Sequence, residues 1–381
     1  MNATAVTSDG LEAVTTDAGQ RPPNAFASIA GRALPTVLLY IASICAALGL
    51  CAILVSSTGG SATQVFSALL DGSLRSAGAW GLTISTATPL LVVAVGTIVG
   101  AKAGMDNIGQ EGQLLLGAGA AAFVATRLDL PGPLLLLASF LAAAAIGGLW
   151  AGLAAVMKFT RKVPEVISTL LLIFIASQVV TFSLTKKWLL RSLDSTSRTN
   201  NGEPLPQSAR LPGIEIFGNV VTWGAVVALV MTLLVGIVLA RTTIGFKLRV
   251  LGLNPRTARR FGVSAIGIGG GALIFSGAAA GLAGGLWLTG GSAGDRFTGG
   301  ISSNIGWQGL LVALLARQKV SLAVTMAFVF AGLRTGSQFV AATGVDRRIT
   351  DVIQAMLVLS LLIPPAIQSL QGRRRRSGVA A

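Results

Sequence analysis

The sequence contains no histidine. That one absence excludes histidine proton relays, imidazole metal ligands and histidine general bases together. Cysteine is almost as scarce, with Cys45 and Cys51 in a single apolar run. On a helix with ~1.5 Å rise they stand ~9 Å apart, too far for a disulfide. They read as apolar filler and leave the redox compartment open. Charge is thin as well: 11% of residues are charged, against about 25% in a soluble domain. The glycine run Gly267–Gly271 has no Gly-Lys-Ser/Thr after it, so it is not a phosphate cradle. With no nucleophile–base pair and no metal cluster either, neither catalysis nor a resident cofactor is expected.

What is present is apolar. Of 381 residues 52% are hydrophobic, and the mean hydropathy is +0.75. Most of the chain divides into membrane-length runs. A polytopic all-α membrane bundle follows, with no room for a sizeable soluble domain. The net charge of +15 invites a nucleic-acid reading. The Lys and Arg residues cluster at the ends of apolar runs instead of along a face, so topology explains them better. The expected partner of these surfaces is the lipid bilayer, and no nucleic acid is expected.

In chain order, residues 1–32 are polar and read as a disordered tail, with no cleavable signal before the first long run. Spans are expected at Leu34–Ser56, Trp80–Gly100, from near Asn107 to Thr126, Pro133–Met157, Pro164–Thr185 and Asn219–Ala240. Further spans follow at Ser264–Gly290, Ile301–Ala316, Val320–Val340 and Thr350–Gln368. Ile301–Ala316 is short, and either tilts or re-enters. Residues 57–79 form a Gly/Ser-rich connection. This gives about ten crossings with both termini cytoplasmic, and a transmembrane domain over 33–370. Residues 186–218 form a long outer loop with three acids and five Lys/Arg. The tail at 371–381 is basic and cytoplasmic. Gly96, Gly100 and Gly104 repeat every four residues, as do Gly277, Gly281 and Gly285, a spacing that brings helix backbones close in lipid.

The stretch Arg241–Gly262 carries six Lys/Arg and no acid between two apolar runs. By the positive-inside rule it belongs to a cytoplasmic loop, over 241–263. Within it, Asn254 and Pro255 form a helix start, with Asn as the N-cap and Pro at the first position. The short helix would end near Gly262 and present Arg256, Arg259 and Arg260. It is either a dock for a soluble partner or a topology signal that holds anionic lipid.

The richest polar group is Asp106–Gln113. Placed in a helix, Asn107 and Glu111 share a face, and Gln113 follows. Ionisable groups at membrane depth are costly and face a cavity or a partner. Asn107, Glu111 and Gln113 therefore either line a solute path or brace the bundle. In the second case Glu111 pairs with Lys102, with Arg334 or with backbone groups at a helix break. Arg334 either meets a solute or snorkels to the outer surface. Gln308 fits a hydrogen bond to a neighbouring helix. A bundle of this kind needs an ion gradient or a separate motor, and the 254–262 helix is where a motor would attach.

Several stretches together resemble a known family. They are Phe66–Ser73, Asn107–Gly117, Glu165–Leu170, Arg241–Pro255 with Ala258–Val263, Ser276–Gly284 and Asp351–Gln354. In order, over about 60–365, the chain is similar to the permease subunits of ABC importers for simple sugars and nucleosides. The Gln after Glu-Gly and the long outer loop resemble the longer of two paired nucleoside permeases. The resemblance implies a second permease, a cytoplasmic ATPase that holds the ATP, and an extracytoplasmic binding lipoprotein at a bacterial plasma membrane. It also implies that Asn254, Pro255, Arg256, Arg259 and Arg260 meet the ATPase. Departures are Leu171-Leu172-Ile173 for Met-Leu-Asn, Gly306-Trp307-Gln308-Gly309 for Gly-Phe-Asp-Gly, and Ala316 for a glycine. The rival is an ion-gradient-driven secondary transporter with inverted repeats and an essential intramembrane acid, for which Glu111 is the candidate.

Overall fold

The computed structural model describes residues 25–341 except 193–200, 291–294 and positions 58, 60, 77 and 217, with scattered positions from 352 to 367. The expected last span, 350–368, lies mostly outside the described residues, and 1–24 and 371–381 lie wholly outside. In chain order come α1 (Ala25–Ser57), α2 (Ala62–Leu70), α3 (Ala79–Lys102), α4 (Gln110–Arg127), α5 (Gly132–Arg161) and α6 (Glu165–Ser183). Strands β1 (Gly213–Ile216) and β2 (Asn219–Thr222) precede α7 (Trp223–Arg241), α8 (Thr243–Leu253) and α9 (Pro255–Arg260). Then follow α10 (Gly271–Thr289), α11 (Ile305–Leu315) and α12 (Val320–Ala341). Single π-helical turns at Asp71–Arg75 and Ala265–Gly270 lead towards α3 and directly into α10.

Six of these helices are long and apolar enough to cross a membrane: α3, α5, α6, α7, α10 with its π-turn, and α12. Several expected boundaries move. Helix α1 begins at Ala25, inside the stretch expected to be tail. The 57–79 connection holds α2 and a π-turn. Helix α4 starts at Gln110, so Asn107 precedes it and shares no helical face with Glu111. Residues 219–222 pair with 213–216 as an antiparallel hairpin, so α7 starts only at Trp223 and the fold is not purely helical. The short run at 301–316 contains only the 11-residue α11. At 1.5 Å per residue it spans about 16 Å, roughly half a bilayer core.

Helix α10 is the centre of the bundle, packed against α3, α4 and α5. Glycine makes this possible. A Cβ on Gly281 would fall 3.0 Å from Gly147 Cα of α5 and nearer still to the Ala143 carbonyl. On α4, Gly117 backs directly onto Gly281. On the α3 side, a Cβ on Gly96 would meet that of Ala279 at 2.5 Å. Gly104, the third member of the first expected ladder, lies beyond the end of α3 with φ +70°. It backs onto Gly252 of α8 instead.

The bundle has two unlike ends. One gathers Lys102, the Lys158–Glu165 ion pair, Arg161, α8 and α9. The other carries the hairpin and the loop before it, stitched down by Leu211 N donating to Thr289 O and Gly202 N donating to Phe297 O. The exposed Trp80, Trp188 and Trp223 are all at this second end. Exposed tryptophan is typical of a membrane–water interface, and an acid-free basic loop such as 241–263 is typical of the cytoplasmic side.

Candidate functional site

At the basic end, local chemistry builds α9. Asn254 Oδ1 accepts from Arg256 N and Thr257 N, both at 3.1 Å. Pro255 occupies the first helical position. Gly262, at φ +75°, turns the chain after the helix. Ala258 is fully buried with Leu251 and Val263, and Ala265 and Ile268 pack on that cluster. The opposite side is open: Arg256, Arg259 and Arg260 are exposed. Beside them Leu253 and Phe261, 86% and 80% exposed, are the most exposed large apolar side chains among the described residues. Four non-helical residues, Phe261 to Ser264, then link α9 to the π-turn that leads into α10. The preceding part of the expected loop is also helical, as α8, capped by Thr242 accepting from Gly245 N.

Inside the bundle the predicted polar residues form two connected groups. In the first, Asn107 Nδ2 donates to Gln113 Oε1 (2.8 Å) and Ser276 Oγ (3.0 Å). Its Oδ1 accepts from Gln113 Nε2 (3.1 Å) and Gly109 N (3.0 Å). Ile108 N donates to Thr169 Oγ1 at 3.2 Å. This buried knot ties the start of α4 to α10 and α6.

In the second group, Glu111 from α4 accepts from the Ser302 hydroxyl and, at 2.9 Å, from Gly306 N. Trp287 Nε1 of α10 donates to Ile301 O at 2.7 Å. Arg334 Nη1 of α12 donates to Ser303 O (2.8 Å) and Gln308 Oε1 (3.1 Å). The Arg334 guanidinium lies 5.8 Å from the Trp287 ring centre, close enough for a cation–π contact. Arg334 is buried, so it does not snorkel, and Gln308 makes the inter-helix bond expected of it. Of the bracing partners expected for Glu111, the structure supplies a backbone group at a helix break, Gly306 N, together with the Ser302 hydroxyl.

These three side chains converge on the turn 301–304, ahead of α11. Ser303 and Asn304 are left-handed, at φ 43° and 67°. Such residues cost about 1–3 kcal/mol each and persist only where the surroundings over-determine them. Gly306 is required next: a Cβ there would fall 2.5 Å from Glu111 Cα. Sequence reasoning missed Trp287, Ser302 and Ser276. The available signal was the polar Ser302-Ser303-Asn304 cluster before an apolar run, a helix-start pattern.

The chain is similar to proteins whose work is transport. Residues 81–362 match the family model described as branched-chain amino acid transport system / permease component. A glucose ABC transporter permease protein, TsgB13 of Haloferax volcanii, is 34% identical over 79% of this chain and 80% of its own. The guanosine ABC transporter permease protein NupP of Bacillus subtilis is 29% identical over 91% of this chain and 98% of its own. The nucleoside ABC transporter permease protein NupB of Lactococcus lactis is 26% identical over 77% and 82%. A bundle with six crossing-length helices, matched over most of its length, belongs to this ABC transporter permease family, a multi-pass transport component and not an enzyme.

Proposed function

We propose that this chain is one of two permease subunits of an ATP-driven importer for nucleosides or simple sugars, in a bacterial plasma membrane. The basic end faces the cytoplasm by the positive-inside rule, with about ten crossings and both termini inside. The observation that carries the proposal is α9: self-capped, exposed, and joined to the central helix α10 through only the turn at 261–264 and the π-turn. Asn254 and Pro255 shape it, and Arg256, Arg259 and Arg260 present charge to a cytoplasmic ATPase that holds the ATP. Closure of the ATPase dimer pushes α9, and the push reaches α10 through the π-turn. An extracytoplasmic binding lipoprotein delivers solute at the hairpin end. Gln308 and Arg334 border the path, while Asn107, Glu111 and Gln113 brace it. The solute classes come from the relatives, which are named for glucose, guanosine and nucleosides.

The test is uptake by vesicles holding this permease with its sister permease, ATPase and binding lipoprotein. Labelled nucleoside or sugar should accumulate with ATP and continue after the membrane potential is collapsed. Uptake that follows the potential and ignores ATP would instead support the ion-gradient rival.

A further inference from the structure

The described residues include a broken crossing. Gly309 of α11 packs on Val93 of α3. Val320, at the start of α12, lies 3.7 Å from where a Gly236 Cβ would be, low on α7. The stretch from Arg296 at the hairpin end to Val320 therefore traverses the bundle, yet only Ile305–Leu315 of it is α-helix. Irregular backbone at membrane depth survives only where protein buries it or where it lines water. Ile301 and Ser302 are buried, but Ser303 and Asn304 are exposed.

We propose that Glu111 is a positioning residue for transport: it caps this broken crossing, holds the Ser303–Asn304 turn against the aqueous path, and carries no proton or ion itself. The inference rests on the permease reading for its role and on geometry for the clamp. Both carboxylate oxygens aim at the break, one at the Ser302 hydroxyl and one at Gly306 N. Glu111 is 7% exposed, and its carboxylate is engaged at the break. Its own backbone is fixed at the start of α4 by the Asn107 knot. Arg334 and Trp287 hold the same turn from α12 and α10, which leaves Glu111 as the only acceptor among the three clamps.

The geometry separates position from charge. A glutamine amide can accept from Gly306 N and donate to Ser302, because a hydroxyl works in either sense. Alanine can do neither. The experiment uses the full chain in vesicles, with Cys45 and Cys51 replaced by serine and Ser303→Cys as a near-isosteric probe. A membrane-impermeant thiol reagent reports whether the turn faces water, with neither solute nor ATP present. Cys at 303 should label with Glu111 intact, label within twofold of that rate with Glu111→Gln, and change at least fivefold with Glu111→Ala. ATP-driven uptake, read on Ser303, should stay within twofold for Glu111→Gln and fall at least tenfold for Glu111→Ala. If Glu111→Ala fails to insert, Ser302→Ala, which removes one bond of the clamp, should change the labelling rate at least twofold. Glu111→Gln as inactive as Glu111→Ala would mean that the charge itself is used, and the proposal falls. It also falls if position 303 is inert with Glu111 intact, or if Glu111→Ala, or Ser302→Ala where Glu111→Ala fails to insert, labels as before. The labelling decides the clamp even if no nucleoside or sugar is transported.

Discussion

Two short helices, α9 and α11, solve the same physical problem in opposite ways. Each must satisfy the free N–H groups of its first turn. Helix α9 takes its cap from the residue next to it, Asn254. Helix α11 takes an acceptor from Glu111, 195 residues away in sequence, with Trp287 and Arg334 holding the turn before it. The first helix stands exposed on one small apolar contact; the second is clamped by three other helices. A helix that carries its own cap can shift as a unit without leaving a buried donor unpaired. A helix capped by its neighbours cannot, because moving it strands both Gly306 N and the Glu111 carboxylate. The difference separates a helix whose cap moves with it from one held in place by its neighbours.

The largest expected effect breaks the fixed member. Gly306→Val would drive a side chain into the Glu111 backbone, whose Cα and N stand nearest, as well as into the carboxylate that caps the turn. Overpacking typically costs about 1–3 kcal/mol, and more where the backbone itself is the obstacle. The expected outcome is loss of monodisperse protein on size exclusion in detergent, whatever the state of α9. A variant that elutes and transports normally would show that α11 is not locked. Next in size is the movable member. Arg259→Glu with Arg260→Glu reverses exposed charge and touches no buried contact. Membrane insertion should be unchanged, while uptake falls at least tenfold and the ATPase no longer co-purifies. Full uptake by this variant would remove α9 from the coupling route.

The same contrast explains what was legible in the sequence. Helix α9 was readable because its signals are local: Asn254 and Pro255 open it and Gly262 follows it. The long apolar spans were readable for the same reason, since burial in lipid needs only length and composition. The start of α4 was not. Asp106 to Gly109 looks helical in continuation of the run after it, but Asn107 is drawn out of the helix by Ser276 and Thr169 draws in Ile108. The hairpin at 213–222 was missed because four-residue strands with both apolar and polar neighbours carry little periodic signal. The turn 301–304 was the least legible. Nothing local favours a left-handed serine, and the groups that hold it lie on α4, α10 and α12. Glu111 was singled out as costly and needing a partner, but which partner is a property of the packed bundle.

The smallest effect sharpens the comparison most. Asn254→Ala removes the cap of α9 and leaves every arginine in place. Loss of an Asn cap costs about 1 kcal/mol, a factor of roughly five in a local helix equilibrium. The burial of Ala258 with Leu251 and Val263 still holds the segment down, so the helix should fray without detaching. Uptake should fall about two- to fivefold, with ATPase binding weakened by a similar factor. Asn254→Asp offers the same acceptor to Arg256 N and Thr257 N and adds a charge favourable at a helix start, so it should restore uptake. Amide exchange at Arg256 and Thr257 checks the cause: it should speed up in the alanine variant and not in the aspartate one. If exchange is unchanged in both, the cap does not set the stability of α9, and the distinction between a self-capped mover and a borrowed-cap anchor loses its basis.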